Sequence, residues 1–390
     1  MKTNSDNTIK GIHYRTNEPI KITWQGKEIL RVEKLEKCEQ DLPTIAPGFI
    51  DLQVNGYKGM DFNYKPLTPE EWKNIILSLA EVGVTEFLPT FITNSLEQLE
   101  ANIAAAERAL EQLGEYASFV RGYHLEGPYL SKEDGPRGAH DARYVKAPDW
   151  DEFSRLQEAA NGKIKLLTIS PEWEESEAFI KKAVDSGVKI AIGHTAANTD
   201  QIEKAAASGA SLSTHLGNGA HVQLPRHPNY IWDQLAQDNL YASVIADGHH
   251  LPKNVLKVFQ KVKREKMFLI SDSVALAGMP PGDYETAVGG QVTLTEDGRL
   301  HLKNEPRLLA GSAKNIWQGV QYLAEENICS FPEAIEKASI IPRRFIGDSA
   351  YNDFTAGASA TMVVINRKTR TIEQTIKEGK IFYKAGDENG

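Results

Sequence analysis

KIAIGHTAANTDQIEKAAASGASLSTHLG, residues 189–217, is the stretch that decides the fold. An apolar run, Lys189–Gly193, is followed by a helical pattern ending at Gly209 and then by a second apolar run, Ser211–Leu216. Runs that are apolar throughout, rather than alternating, suit parallel strands covered on both faces. Glycine at the end of the helical stretch tolerates the left-handed conformation that stops a helix. The unit is therefore strand–helix–strand, and each run is closed by a histidine, His194 and His215.

The same rhythm continues on both sides. Further apolar runs are Gly48–Val54, Thr85–Ile92, Phe119–Leu125, Ile164–Ile169, Ala242–Ala246 and Met267–Ile270, eight in all. Between them, Thr68-Pro69-Glu70-Glu71 is a capping box with proline at the first helical position, and Gly83 ends that helix. Leu96, Leu99, Ile103, Leu110 and Leu113 form a stripe at helical spacing, closed by Gly114. Two more helical patterns end at Gly162 and Gly187. Eight strand runs alternating with helices predict an α/β fold, a (β/α)8 TIM-like barrel. A doubly wound open sheet is the alternative, but no GxGxxG follows the first run.

The ends differ from the middle. Residues 1–46 hold the short runs Ile20–Trp24 and Glu28–Val32, and residues 346–390 hold Thr361–Ile365 and Lys380–Tyr383. Neither end can bury a core alone, so the two are expected to build one small β-sandwich beside a barrel spanning 47–345. Tyr284–Leu309, with Glu296-Asp297-Gly298 at its turn, reads as a β-hairpin insertion near 284–309. Helical patterns follow at 313–325 and 331–347.

Composition narrows the function. The 390 residues are 41% hydrophobic and 25% charged, an ordinary globular mixture. A net charge of −9 sets up no field that would attract nucleic acid. No apolar run approaches the roughly 20 residues that span a bilayer, and Met1–Ile20 lacks the apolar core of a signal peptide. No membrane partner and a cytoplasmic location are therefore expected. Only Cys38 and Cys329 are present, which excludes a disulfide scaffold and a thiolate zinc cage and fits a reducing compartment. Six of the ten histidines (194, 215, 221, 227, 249 and 250) crowd into one part of the chain. That concentration points to metal or acid–base chemistry.

Barrel enzymes carry their active sites at the C-terminal ends of the strands. There stand Gln53 and Asn55, Glu126, His194, His215, the pair His249-His250, and Asp272. Two imidazoles and a carboxylate with one open position make a catalytic zinc set, so Glu126, His194 and His215 are the candidate ligands. Asp272 is then a free carboxylate suited to general base work. His250 is placed to polarise a carbonyl or hold an oxyanion. Any one of these histidines alone reads equally well as structural, and Asp272 alone as a loop cap or salt bridge.

Eight segments in order carry a resemblance: PGFIDLQVNG (47–56), HLEGPYL (124–130), RGAH (137–140), IGHT (192–195), THLGNGA (214–220), IADGHH (245–250), SDSVALAG (271–278) and LLAGSA (308–313). Together they resemble the amidohydrolase superfamily and, within it, the family that deacetylates N-acetylglucosamine 6-phosphate. The resemblance covers roughly residues 47–345. It implies a (β/α)8 barrel with a small β-sandwich from both termini, and hydrolysis of the N-acetyl amide to glucosamine 6-phosphate and acetate. It implies Glu126, His194 and His215 as metal ligands, Asp272 as acid/base, and His250 on the acetyl carbonyl. Sugar or phosphate contacts fall to Ala139, His140, Asn218, Gly219, Arg226, His250 and the backbone of Leu309, Ala310 and Gly311.

The superfamily usually carries His-x-His after strand one to hold a second metal. Here the segment is Gln53-Val54-Asn55, and neutral amides are poor zinc ligands. The resemblance then implies a vestigial second-metal position and one divalent ion per subunit, zinc first, with iron, manganese or cobalt as alternatives. A homodimer is expected, because family members can draw a basic residue from a partner subunit. Gly217 and Gly219, flanking Asn218, open the pocket or let the backbone approach the ligand. Loop 131–140 reads as a lid or as a solvated connection, and Arg226 as a phosphate ligand or a surface arginine. Tyr230 and Trp232 read as core, while His221, His227 and His249 have no assigned task. Two other functions stay open: deacetylation of another N-acyl amino sugar (galactosamine-type or unphosphorylated), and a catalytically silent binding protein.

Overall fold

The computed structural model describes residues 6–36, 41–286, 290–348 and 354–387, which leaves Cys38 outside. Eight parallel strands form the barrel: β1 (Phe49–Val54), β2 (Val84–Ile92), β3 (Tyr123–Glu126), β4 (Ile164–Ile169), β5 (Lys189–Ile192), β6 (Leu212–Ser213), β7 (Tyr241–Ile245) and β8 (Met267–Ile270). They neighbour one another in chain order. Closure happens just beyond the strand ends, where the Asp272 N–H donates to the Gln53 carbonyl at 3.0 Å and the Asn55 N–H to the Ser273 carbonyl at 2.8 Å. The seam therefore sets Gln53 and Asn55 beside Asp272.

The helices between the strands bury one face each. Thr68 caps helix Pro69–Glu81 by accepting from the Glu71 N–H while Glu71 accepts from the Thr68 N–H, and Trp72, Ile75, Ile76 and Leu79 face the barrel core. Gly83 closes it at φ +85°, with the Phe49 ring 2.8 Å from where a Cβ would stand. One boundary departs from expectation. The helix Leu96–Leu110 stops before Gly114, which instead opens a 3-10 turn, Gly114–Phe119. That turn takes the start of the predicted run Phe119–Leu125, because the Phe119 ring packs edge-on against Phe382 of the small sheet at 4.8 Å. β3 accordingly begins at Tyr123.

Both termini enter one seven-stranded sheet. Met362–Ile365 runs antiparallel to Thr44–Pro47, with Val363 opposite Ala46, and so ties the C-terminal strands to the N-terminal ones. The sheet curls over, since the Ile29 N–H donates to the Ala358 carbonyl at 2.9 Å and Trp24 Nε1 to the Gly379 carbonyl at 3.0 Å. The expected sandwich is thus one folded-over sheet. Three of its strands, Asn7–His13, Thr44–Pro47 and Ile372–Lys377, escape sequence reading because they are short or carry polar alternate residues.

The insertion is larger than a hairpin. Gly282–Thr286, Gly290–Leu294, Leu300–Leu302 and Glu305–Leu309 form a four-stranded antiparallel sheet. It has its own core of Leu276, Val292, Leu294 and Leu300. The predicted helix 331–347 is two helices, Phe331–Ala338 and Ile340–Phe345, broken at Ser339, whose Oγ donates to the Ile335 carbonyl at 2.6 Å. Below the barrel, Glu86 on β2 accepts from Arg343 Nε and from Lys377 Nζ, each at 3.2 Å, which joins barrel, C-terminal helix and small sheet. No helix among the described residues is long and apolar enough to cross a membrane.

Candidate metal centre

The barrel brings its candidate ligands to one point. Glu126 ends β3, His194 follows β5, and His215 follows β6. Their atoms form a triangle: His215 Nε2 lies 3.0 Å from Glu126 Oε1 and 3.0 Å from His194 Nε2, and His194 Nε2 lies 3.3 Å from Glu126 Oε1. All three residues are buried. Ligands about 2.0–2.1 Å from a tetrahedral zinc stand roughly 3.3 Å apart, so the triangle fits one face of such a site. Burial would raise the Glu126 carboxyl, yet the two facing imidazoles hold it well below the usual range.

The supporting contacts set the chemistry of the ring nitrogens. His194 Nδ1 is 2.8 Å from the Pro136 carbonyl, an obligate acceptor, so Nδ1 carries the proton and Nε2 presents its lone pair. Gly219 stands where a Cβ would come within 2.7 Å of His194 Nδ1, and its φ is +56°. The glycine therefore makes room for the ligand ring rather than opening a pocket.

His140, expected on the sugar side, belongs to the cluster as well. Its Nε2 is 3.3 Å from His194 Nε2 and its Nδ1 is 2.9 Å from the Thr93 hydroxyl. Glu126, His140 and His194 also offer donor atoms that all lie within 4.8 Å of one another, so two overlapping sets of three share Glu126 and His194. The set closed by His215 is the tighter.

The remaining candidates surround this point. Asp272 follows β8 and accepts from Asn55 Nδ2 at 2.7 Å. Burial first, and then the Glu126 charge, push its carboxyl up to about 6. Gln53 Nε2 donates to Glu126 Oε1 at 3.0 Å. His250 Nδ1 lies 2.6 Å from Asp247 Oδ2, and Asp247 Oδ1 accepts the N–H groups of His249 and His250 at 2.8 Å each. Burial opposes the Asp247 charge, but the His250 bond outweighs it and holds the carboxyl below its usual range. Sequence reading passed over Asp247, although its spacing of three from His250 inside IADGHH was the available signal. Thr93 and the Pro136 carbonyl carried no signal of their own.

The rim loops divide. Loop 131–140 is pinned rather than free. Ser131 N–H donates to the His194 carbonyl at 2.9 Å, and Glu133 Oε2 pairs with His221 Nε2 at 3.0 Å. His221 Nδ1 in turn meets the Tyr230 hydroxyl at 3.0 Å. Tyr230 is buried as expected, but Trp232 is 52% exposed and is not core. Asn218 turns its Nδ2 onto the His215 carbonyl at 3.2 Å. Ala139, Arg226 and His227 are exposed. His249 Nε2 reaches the Asp297 carbonyl of the insertion at 3.2 Å. Gly311 lies against Val274, two residues past Asp272, and the Leu309–Gly311 backbone therefore borders the same mouth.

A closed barrel with a buried carboxylate–imidazole cluster at its C-terminal mouth defines a metal-dependent hydrolase scaffold. The Amidohydrolase family profile matches residues 44–382, and the chain belongs to that family. It is similar to the N-acetylglucosamine-6-phosphate deacetylase of Bacillus subtilis (strain 168), 31% identical over 348 residues, or 87% of this chain and 85% of that protein. It is also similar to the N-acetylgalactosamine-6-phosphate deacetylase of Shewanella sp. (strain ANA-3), 30% identical over 343 residues, 88% and 84% respectively. Among solved structures, the N-acetylglucosamine-6-phosphate deacetylase of Thermotoga maritima superposes with a TM-score of 0.84 at 25% identity, covering 97% of this chain and 100% of that one.

Proposed function

We propose that the chain hydrolyses the N-acetyl amide of N-acetylglucosamine 6-phosphate, releasing acetate and glucosamine 6-phosphate. The observation that carries this is the 3.0–3.3 Å triangle of Glu126, His194 and His215 with a separate carboxylate, Asp272, at the end of β8 on the same mouth. Glu126, His194 and His215 would hold one divalent cation, zinc by donor type, with iron, manganese or cobalt also accommodated. When bound, the cation polarises the acetyl carbonyl and lowers the pKa of water at the site.

The chain's own groups do the rest. Asp272 takes a proton from water as its oxygen attacks the acetyl carbon. His140, its Nδ1 held 2.9 Å from the Thr93 hydroxyl, stands beside the cluster and lines the site where the acetyl group would lie. His250, its Nδ1–H held by the Asp247 carboxylate, donates an Nε2–H to the developing oxyanion as the doubly protonated ring. The C–N bond then breaks, and Asp272 passes the proton to the departing nitrogen. Arg226, without an ion-pair partner among the described residues, serves the phosphate, and the Leu309–Gly311 backbone the sugar. A homodimer working in the cytoplasm completes the reading.

Acetate release from N-acetylglucosamine, its 6-phosphate, and the galactosamine and mannosamine 6-phosphate counterparts tests it. The 6-phosphate of N-acetylglucosamine should have the highest kcat/KM. Asp272→Asn should lower kcat by about 10²–10⁴-fold while metal content is kept. Near-parental turnover by that variant, or faster turnover of another sugar, overturns the corresponding part.

A further inference from the structure

Gln53 and Asn55, the two amides at the end of the first barrel strand, each donate to a carboxylate of the site. Gln53 is buried at the end of β1. Its Nε2 donates at 3.0 Å to Glu126 Oε1, the same oxygen that faces His194 and His215. Its carbonyl accepts the Asp272 N–H at 3.0 Å. Two residues on, Asn55 Nδ2 donates at 2.7 Å to Asp272 Oδ1. Asn55 is itself held by its N–H on the Ser273 carbonyl at 2.8 Å and by the Phe62 N–H on its own carbonyl at 3.0 Å. Side chains two apart on a strand share a face, so one strand end sends one amide to each carboxylate of the site.

We propose that Gln53 and Asn55 are positioning residues, Gln53 aiming the Glu126 carboxylate at the two imidazoles and Asn55 aiming Asp272. The physical case rests on what buried carboxylates need. Glu126 and Asp272 are acceptor-only groups in a dry site, and each rotates freely about its last bond unless donors hold it. A neutral amide supplies a donor without binding a cation and without competing for the proton that Asp272 carries. The two donors act on different partners, so their loss has different signatures. The kinetic half of this inference rests on the deacetylase reading, and the metal half does not.

The test compares the parent with Gln53→Ala, Gln53→Met, Asn55→Ala and Asn55→Leu. Zn²⁺ affinity is measured by competition with a chromophoric chelator, and kcat and KM at saturating Zn²⁺. The Gln53 variants should lose about 10–100-fold in Zn²⁺ affinity. The Asn55 variants should keep Zn²⁺ affinity within twofold and lose at least tenfold in kcat, with KM within threefold. Gln53→Met and Asn55→Leu nearly keep side-chain volume and add no charge but remove the donor, so a packing role predicts parental behaviour for them, and that result overturns the proposal. So does an exchange of the two signatures. A parent that releases no acetate sinks the functional reading alone. Gln53 is then decided by Zn²⁺ affinity, and Asn55 by a double-mutant unfolding cycle with Asp272→Ala, where additivity overturns the proposal.

Discussion

Three residues of the candidate site hold a backbone that side chains rarely adopt: His194 at φ +49°, His215 at +30° and Asp272 at +48°. Such conformations cost on the order of 1–3 kcal/mol each and persist only where the surroundings over-determine them. Here the strand ends do so, since each residue is the first or second past a barrel strand whose hydrogen bonds are already made. The left-handed step turns the side chain inward across the mouth instead of along the rim. Asp272 also carries the pH dependence. A general base works only when ionised, so kcat should be full above the value near which its carboxyl titrates, about 6, and fall as pH drops through it. A bound cation favours the ionised form and moves that limb lower. Measured kcat between pH 4.5 and 8 should therefore place the acid limb at or below about 6. A midpoint above 7 would contradict the assignment of Asp272.

At the scale of elements, two loops bracket one ring. Loop 131–140 reaches His194 through the Pro136 carbonyl and the Ser131 amide, and the loop after β6 reaches it through Gly219. The reading of 131–140 as a lid gives way to a fixed wall, because its backbone supplies the bond that sets the His194 tautomer. Gly219→Ala tests this bracket. The new Cβ, at 2.7 Å from His194 Nδ1 and in a left-handed residue, must push the ring off the Pro136 carbonyl. Zn²⁺ affinity should fall about 10–100-fold with the circular dichroism spectrum unchanged, whereas affinity within twofold of the parent would show the ring has room. Much of this level was legible in outline. The eight runs and the capping box at Thr68 were visible because apolar periodicity and cap chemistry are local. The four-stranded insertion was not, because its strands are short and its few buried apolar residues (Val292, Leu294, Leu300) pack in a separate small cluster with Leu276.

The whole molecule is held at its base by a buried ion network. Burial alone would raise the Glu86 carboxyl, but Arg343, then Lys377 and Arg121, outweigh it and keep it below the usual range. Arg343 is 1% exposed and also donates to the Gly48 carbonyl at 2.7 Å and to Thr85 Oγ1 at 3.2 Å. Removing one partner of such a network strands the others, so Glu86→Gln should cost about 3–5 kcal/mol, read from urea midpoints at pH 7. The folded pKa is depressed, so the carboxylate's contribution is complete above the unfolded value near 4.3 and is lost as pH falls through the folded one. The difference between parent and variant should accordingly shrink on acidification below about pH 4. A difference that stays constant down to pH 2.5 would show that the charge is not what stabilises.

The sequence by itself determined the alternation of strands and helices, the barrel it closes into, and which polar residues stand at strand ends. Those properties follow from apolar period and from glycine and cap positions, which act over a few residues. Tertiary structure alone decided how the strand-end groups pair. His140 enters the cluster from 54 residues away, Asn55 meets Asp272 across 217 residues, and Gln53 meets Glu126 across 73. Such contacts depend on strand stagger and on the left-handed turns at His194, His215 and Asp272. A shift of one residue in either would aim the same side chains outward, and nothing local in the chain encodes that choice.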